Sequence, residues 1–217
     1  MTETLSFVKD YYGHGRTIKE RTPIWHDGSE IPWITYPALL YLMQLDYSNK
    51  SIFEYGAGNS TLFWSKRARV VTSVEHEKEW FEKISQNLPP HCSIRLASGA
   101  DYVKSAEEQA PYDVIVIDGR WRYDCASVAH RYLAINGMII LDNSDRHAPA
   151  AALLRGHGLI QIDMIGRSPI SKSVQCTSLF LTRGFDFPPK NGVQPQPVLG
   201  MDDPGDIAAK NKPGAYA

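Results

Sequence analysis

The chain has 217 residues, of which 43% are hydrophobic and 22% are charged, values that are typical of a globular protein and exclude a disordered or fibrous one. Lys and Arg number 23 against 24 Asp and Glu, so there is no basic excess to indicate binding of nucleic acid. The three cysteines are far apart, the N-terminus lacks the apolar stretch of a signal peptide, and no apolar run reaches membrane-spanning length. We therefore expect a cytoplasmic protein without disulfides or membrane contact.

Strands and helices are predicted to alternate through most of the chain. Residues 1–32 lack a clear period and predict a short helix and a loop that form an N-terminal cap. An apolar helix then begins near Pro37. Five strands follow, predicted at 51–55, 70–75, 93–97, 113–118 and 138–142. The helices between them are predicted at 60–67, 77–87, 100–108 and 122–133.

This alternation predicts an α/β fold with a doubly wound, mostly parallel sheet and helices on both faces. The strand cores VVTSV and VIVID are β-branched and apolar, as strands buried on both faces require. Two more strands, at 159–165 and 178–182, have no helical pattern between them and predict an antiparallel C-terminal hairpin, which makes seven strands. Residues 184–217 are rich in Pro, Gly and Asp and predict an extended or disordered tail that is dispensable for folding. The predicted main domain is 33–183.

The loop after the first strand, GAGNST, lies where a doubly wound sheet binds its ligands. Gly56 and Gly58 allow a tight turn and close approach of a ligand, and we expect neither to tolerate a side chain. Glu54 could orient an ammonium group, and Glu75 ends the second strand at the spacing of an acid that binds ribose hydroxyls. Thr61 stands where a dinucleotide motif has its third glycine, which favours a nucleoside without phosphates. The alternative is an ordinary strand-to-helix turn.

Polar side chains follow the fourth and fifth strands. Asp118 ends the fourth, and Asp142 and Asn143 end the fifth, so all three should reach the same rim of the sheet. Oxygen ligands of this kind suit Mg²⁺. The alternative is that Asp142 caps the next helix and Asp118 orders its own loop.

Four segments together resemble the class I S-adenosylmethionine-dependent methyltransferases, which have a Rossmann-like fold. The resemblance covers about residues 33–183, and its segments are FEYGAGNST, SVEHEKEWF, YDVIVIDGRWR and GMIILDN. Two other interpretations stay open: a nicotinamide-dependent oxidoreductase, which would use the same glycine turn, and a catalytically inactive module that binds S-adenosylmethionine. The sequence does not indicate an oligomeric state.

The resemblance assigns roles by position. It implies that Glu54, Gly56 and Gly58 line the methionine end of S-adenosylmethionine and that Glu75 holds both ribose hydroxyls. Asp101 would lie near the adenine, although an acid in the first turn of a helix is an equally good interpretation. We expect replacement of Glu75 to weaken cofactor binding with little loss of stability.

Asp118, Asp142 and Asn143 also match the positions that hold the ion in metal-dependent O-methyltransferases. That match implies Mg²⁺ beside the cofactor and O-methyl transfer to a small hydroxylated acceptor of the sugar or phenol type. The chain departs from the pattern where a lysine base would stand, because Trp121 lies there between two arginines, whose charge disfavours a second cation. The predicted catalytic residues are Asp118 and, as a substitute base, His147.

The walls of the acceptor pocket are predicted from aromatic and basic residues near the same rim. The candidates are Trp33, Tyr36, Arg120 and Trp121. Trp33 and Tyr36 could instead pack in the core.

Overall fold

A computed structural model describes residues 11–190 and 192. At its centre is one seven-stranded sheet with the order β3-β2-β1-β4-β5-β7-β6. β1 to β5 run parallel, and β7 is antiparallel to both of its neighbours, β5 and β6. The predicted doubly wound sheet with an antiparallel C-terminal hairpin is therefore confirmed. The strands are β1 Ser51–Tyr55, β2 Val70–Glu75, β3 Cys92–Leu96, β4 Tyr112–Ile117, β5 Leu133–Asp142, β6 Ile160–Arg167 and β7 Val174–Leu181.

Helices cover both faces of this sheet. They are α1 His14–Glu20, α2 Tyr36–Leu42, α3 Asn59–Ser65, α4 Lys78–Ser85, α5 Gly99–Lys104, α6 Arg122–Ala129 and α7 Ala148–Gly156, with a 3₁₀ turn at Ser105–Glu107. Successive strand residues point to opposite faces, so Ile52 packs with α2 and α3 while Phe53 packs with α5, α6 and α7. Truncation of a fully buried residue such as Leu39 to Ala is expected to cost about 2 to 5 kcal/mol.

The structure corrects several predicted boundaries. The helix predicted at 122–133 ends at Ala129, and β5 begins at Leu133, which pairs with Tyr112 of β4. β5 is therefore longer than predicted, because strand pairing overrides the helical pattern of this apolar stretch. Helix α7 lies in a stretch to which the strand and helix alternation assigned no element, and β7 begins at Val174 instead of residue 178.

The N-terminal segment and the first residues of the predicted tail both pack on the sheet domain. Trp25 and Ile31 belong to the core on the face covered by α2. Phe187 is buried beside Tyr47, with ring centroids 5.8 Å apart. The N–H of Asp46 donates to the carbonyl of Pro188 at 2.8 Å. The chain is thus anchored as far as about residue 190, and the rest of the predicted tail lies outside the described residues, so the division at 183 stays a prediction.

Within the described part of the chain, no helix combines the length and apolar character needed to cross a membrane. The order of the sheet strands reverses between β1 and β4, which have β2 and β5 as their outer neighbours. Ligands of doubly wound sheets bind beyond the carboxyl ends of the strands at such a point. The turn after β1 and the loop after β4 are therefore the places to examine for a site.

Candidate active site

The turn after β1 brings the backbone of Gly56 against the loop after β4. Gly56 has a φ of +93°, in the left-handed region that favours glycine. A Cβ on Gly56 would lie 2.7 Å from the Cα of Gly119, well inside van der Waals contact. The N–H of Gly56 donates to the carbonyl of Val74 at 2.9 Å. Backbone conformation and space therefore both require glycine at position 56.

Gly58 is under a different constraint, because its side-chain position faces a cavity. Its φ of 177° is extended backbone that any residue adopts. The atom nearest to an added Cβ would be Nε1 of Trp80 at 3.5 Å, an ordinary contact distance. A side chain at Gly56 would strain the turn, whereas at Gly58 it would occupy space in the cavity, so the expectation for Gly58 stays a prediction about ligand binding. At Gly58 a side chain would cost the protein little but would take up cavity volume.

Backbone N–H groups hold Glu75 at the edge of this cavity. Its Oε2 accepts from the N–H of Ala57 at 3.0 Å, and its Oε1 accepts from the N–H groups of His76 at 2.7 Å and Glu77 at 2.9 Å. A carboxylate oxygen can accept two hydrogen bonds, so Oε2 keeps one acceptor position for a ligand hydroxyl. Glu75 therefore orders the turn and also presents an acceptor to the cavity.

Glu54 lies beneath the turn, fully buried, and not in the cavity wall. Its Oε2 accepts from the hydroxyls of Thr61 at 2.5 Å and Ser73 at 2.9 Å, and the Thr61 hydroxyl in turn accepts from the N–H of Gly58 at 3.0 Å. Burial raises the pKa of Glu54 to about 7. Among the described residues, its Oε1 has no hydrogen-bond partner. Glu54 thus acts on the turn through Thr61, which differs from the direct lining role that the resemblance implies.

The first cavity, of about 490 Å³, lies between the glycine turn and the carboxyl ends of β2 and β4. That volume is in the range of small-molecule sites. The N-terminal segment and the β6–β7 loop cover it from the opposite side. The lining residues are Arg21, Pro23, Trp33, Gly56, Ala57, Gly58, Asn59, Ser60, Glu75, His76, Glu77, Trp80, Asp118, Gly119, Arg120 and Ile170.

Asp101 is not among the residues described as lining that cavity. It is exposed in the first turn of α5, and its carbonyl accepts from the hydroxyl of Ser105 at 2.6 Å. This position suits an acid at the N-terminus of a helix. Its contact with adenine stays a prediction.

A second cavity, of about 430 Å³, adjoins the first and shares Trp33 and Asp118 with it. Its lining is polar, and Trp33 is its single aromatic residue in the part of the chain that the structure describes. The other lining residues are Arg122, Asp142, Asn143, Arg146, Ser171 and Gln175. Asp118 therefore stands at the junction of two cavities, each large enough for a small molecule.

Asp118, Asp142 and Asn143 converge as predicted, but a guanidinium lies among them. Nη2 of Arg122 donates to Oδ1 of Asp118 at 2.9 Å, and its Nη1 donates to Oδ1 of Asn143 at 3.2 Å and lies 3.9 Å from Oδ2 of Asp142. Thr177 donates to the other oxygen of Asp142 at 2.6 Å. Over residues 11–190 and 192, no group of three His, Cys, Asp or Glu could hold a metal ion. At the predicted set of two Asp and one Asn, the donors of Arg122 already contact Asp118 and Asn143, so these residues do not fit the predicted Mg²⁺, which has no support.

Asn143 has a structural reason to follow β5. Its φ is +52°, and asparagine is one of the few residues with a side chain that adopt this left-handed conformation readily. The N–H groups of Arg146 and His147 donate to its carbonyl at 2.8 and 3.2 Å. Asn143 therefore makes the turn between β5 and α7. This structural role explains an asparagine at this position without a metal ion.

The two carboxyl groups of this rim resist ionisation. Burial raises the pKa of Asp118, and the charge of nearby Asp142 raises it further, against the lowering effect of Arg122. Burial also raises the pKa of Asp142, against the hydrogen bond from Thr177. A carboxylate with a raised pKa is a better proton acceptor. Asp118, which faces both cavities, therefore has the chemistry of a general base.

His147 lies at the start of α7, and its side chain is outside the lining of both cavities as the structure describes them. Burial and the charge of Arg122 lower its pKa. Its role as a substitute base stays a prediction.

Two of the four predicted wall residues have other surroundings. Tyr36 is in the core, stacked on Tyr12 with ring centroids 4.3 Å apart. Trp121 packs edge-on against Tyr102, with centroids 5.2 Å apart. Trp33 and Arg120 do line cavities.

Trp80 belongs to the site, although it is not among the residues predicted from the sequence. It lines the first cavity, and its indole N–H donates to the carbonyl of Ala57 at 2.5 Å. The available signal was its place in the first turn of the helix after Glu75, close to the strand end that carries the acid. Trp80 therefore joins α4 to the glycine turn.

No known protein-family model matches the sequence, and no curated protein matches it. Solved structures share its fold at low identity. Precorrin-6y C5,15-methyltransferase from Geobacter metallireducens is 14% identical, with a TM-score of 0.54 over 67% of this chain and 87% of that chain. A Staphylococcus aureus protein provisionally named as a caffeoyl-CoA O-methyltransferase is 14% identical, with a TM-score of 0.55 over 82% of this chain and 99% of that one.

A third structure was solved with a bound cofactor. M. jannaschii TYW2 in complex with AdoMet is 12% identical, with a TM-score of 0.50 over 65% of this chain and 71% of that chain. Likeness at such low identity concerns the fold, and the strand order, the antiparallel hairpin and the cleft at the β1 and β4 ends agree with it. The chain has the Rossmann-like fold of the class I S-adenosylmethionine-dependent methyltransferases.

Proposed function

We propose that this protein is an S-adenosylmethionine-dependent methyltransferase that methylates a hydroxyl group of a small polar acceptor. The observation that carries the proposal is the junction of the two cavities at Asp118 and Trp33. One cavity has the glycine turn and the carboxylate expected of a nucleoside site. The other is polar and meets the first at a carboxyl group with a raised pKa.

The first cavity has the charge and shape for the cofactor. Its wall holds the bases Arg21 and Arg120 as well as the acids Glu75, Glu77 and Asp118, so it has no excess of positive charge to bind the phosphates of a dinucleotide. Gly58 leaves room for close approach of a ligand to the backbone. The third glycine of a dinucleotide motif is replaced by Thr61, whose hydroxyl is committed to Glu54 and Gly58. These features support the methyltransferase over the oxidoreductase.

When bound, S-adenosylmethionine supplies a methyl group on a positively charged sulfur. The chain's own residues then have two tasks: to align an acceptor oxygen behind that methyl and to take its proton. Asp118 is placed for the second task, because its carboxylate borders both cavities and can accept the hydroxyl proton as the new C–O bond forms. Trp33 borders both cavities and can exclude water from the junction.

The lining of the second cavity favours a sugar-type acceptor over a phenol. Hydroxylated rings are bound by side-chain amides, charged groups and one aromatic face, a combination that the lining provides with Asn143, Gln175, Arg146 and Trp33. A phenol would need more apolar wall than these residues offer. The volume of about 430 Å³ suits one compact acceptor.

The proposal is tested by transfer of a labelled methyl group from S-adenosylmethionine to a panel of sugars and phenols. We expect turnover with at least one hydroxylated acceptor and a strongly reduced rate with the Asp118→Asn variant. Binding of S-adenosylmethionine without turnover on any member, together with unchanged binding by Asp118→Asn, would favour the inactive module. Hydride transfer with a nicotinamide cofactor would contradict the proposal.

A further inference from the structure

We propose that the guanidinium of Arg122 takes the place of a divalent cation between Asp118, Asp142 and Asn143. The positive charge that a metal ion would supply at the rim of the second cavity would then come from a side chain of the protein. This inference concerns the carboxylates and the arginine alone, so it can be tested without turnover.

All five N–H donors of Arg122 are committed to this rim. Nε donates to the carbonyl of Gly119 at 3.0 Å, and Nη2 donates to both the carbonyl and Oδ1 of Asp118, each at 2.9 Å. Nη1 donates to the carbonyl of Asp142 and to Oδ1 of Asn143. An arginine has five such donors. The ends of β4 and β5 are therefore held together by one side chain, which contacts each of the three predicted ligands.

The backbone places Arg122 for this role. Trp121 has a φ of +49°, a left-handed conformation that is costly for a large side chain, and Arg122 begins α6 directly after it. The Arg122 side chain is 13% exposed. To swing away it would have to leave partly buried carboxylates and carbonyls without a donor, which is unfavourable. The guanidinium is thus a fixed part of the rim.

A metal ion would have to compete with this arrangement. It would share Asp118 and Asn143 with the donors of Arg122, which contact Oδ1 of each, and it would lie next to a positive charge. The guanidinium also gives what an ion would give here, namely a positive charge that keeps both carboxyl groups in place. Arg122 is therefore a positioning residue for Asp118.

The test is a titration of the full-length protein with Mn²⁺. The electron paramagnetic resonance signal of the free ion measures how much Mn²⁺ stays unbound. Wild type is expected to bind no stoichiometric Mn²⁺. Arg122→Ala opens the three oxygen ligands and is expected to bind one Mn²⁺ about ten-fold or more tighter than wild type, since one neighbouring positive charge is removed. Arg120→Ala is the matched control, because it removes a charge from the same loop and leaves Arg122 in place.

Asp118→Asn added to Arg122→Ala should abolish the new Mn²⁺ site. Stoichiometric binding by wild type would overturn the proposal, even if Arg122→Ala failed to fold. A folded Arg122→Ala protein that binds no more Mn²⁺ than Arg120→Ala would also overturn it. Because the readout is metal binding, these outcomes are distinguishable from a failure of the proposed methyl transfer.

Discussion

The two sides of the site hold their carboxylates in different ways. On the cofactor side, three backbone N–H groups donate to Glu75. On the acceptor side, the guanidinium of Arg122 donates to Asp118 and lies 3.9 Å from Asp142. The donors to Glu75 are mainly backbone groups of fixed geometry, whereas the acceptor side pairs one cation with two carboxyl groups whose pKa values are raised by burial.

The two arrangements suit different tasks: ligand binding on the cofactor side and proton transfer on the acceptor side. A carboxylate fixed by backbone N–H groups is a rigid acceptor, suited to recognition of a hydroxyl. A carboxyl group with a raised pKa is suited to proton transfer. We therefore expect substitutions on the cofactor side to change affinity and stability, and substitutions on the acceptor side to change rate.

The largest expected effect is that of Asp118→Asn on the rate. Loss of a general base typically lowers the rate by about 10² to 10⁴-fold. Affinity for S-adenosylhomocysteine, which carries no positive charge on its sulfur, should change little, because the glycine turn and Glu75 are untouched. Since the pKa of Asp118 is raised, acidification should protonate it, and wild-type activity should be lost, at a higher pH than for an ordinary carboxyl group. Rates across a pH series check both points, and an unaltered rate for Asp118→Asn would remove it from the mechanism.

The next prediction compares the two glycines of the turn. Gly58→Val should fold with nearly wild-type stability and lose cofactor affinity by roughly 100-fold or more, because its side chain enters the cavity. Gly56→Val should be destabilised by about 2 kcal/mol or more, because of its left-handed backbone and the approach of Gly119. Chemical denaturation and calorimetric titration measure the two effects. Equal stability loss in both variants would contradict the assignment of different constraints.

Glu54 should make stability depend on pH. Its pKa is about 7 in the folded protein against 4.5 as its ordinary value, so the folded state binds the proton more tightly. The contribution of Glu54 is then fully present below pH 4.5 and is lost as pH rises through 7, by at most about 3 kcal/mol. Glu54→Gln should flatten this part of the stability curve. An unchanged curve for the variant would show that another group causes the dependence.

The smallest expected effect is that of Glu75→Ala on cofactor affinity, a loss of about 1 to 3 kcal/mol. The sequence predicts little loss of stability for replacement of Glu75, and the structure changes that expectation. Glu75 accepts from three backbone N–H groups, so its removal should also lower the free energy of unfolding. Glu79→Ala is the matched control, since that residue is exposed and is not among the residues that line the cavity. Equal affinities for the two variants would contradict the ribose role of Glu75.

The sequence predicted the fold better than the candidate site. The strand cores, the glycine turn and the place of Glu75 at a strand end are local in the chain, and their positions follow from backbone conformation. Strand β5 was predicted too short because its first residues form a strand only by pairing with β4. The place of Arg122 depends on the left-handed residue before it and on contacts with Asp142 and Asn143, about twenty residues further on. No local sequence pattern predicts those contacts. The sequence therefore indicates only that the charge of Arg122 disfavours a metal ion, and its contacts with the three residues become clear from the structure.

The most direct test of the account is calorimetric titration of wild type with S-adenosylhomocysteine and, separately, with NAD. The methyl-free product is preferable to the substrate because its binding does not depend on turnover or on the acceptor. We predict one site for S-adenosylhomocysteine, lost in Gly58→Val although that variant stays folded, and no site for NAD. Saturable binding of NAD with no binding of S-adenosylhomocysteine would contradict the assignment of the first cavity to S-adenosylmethionine.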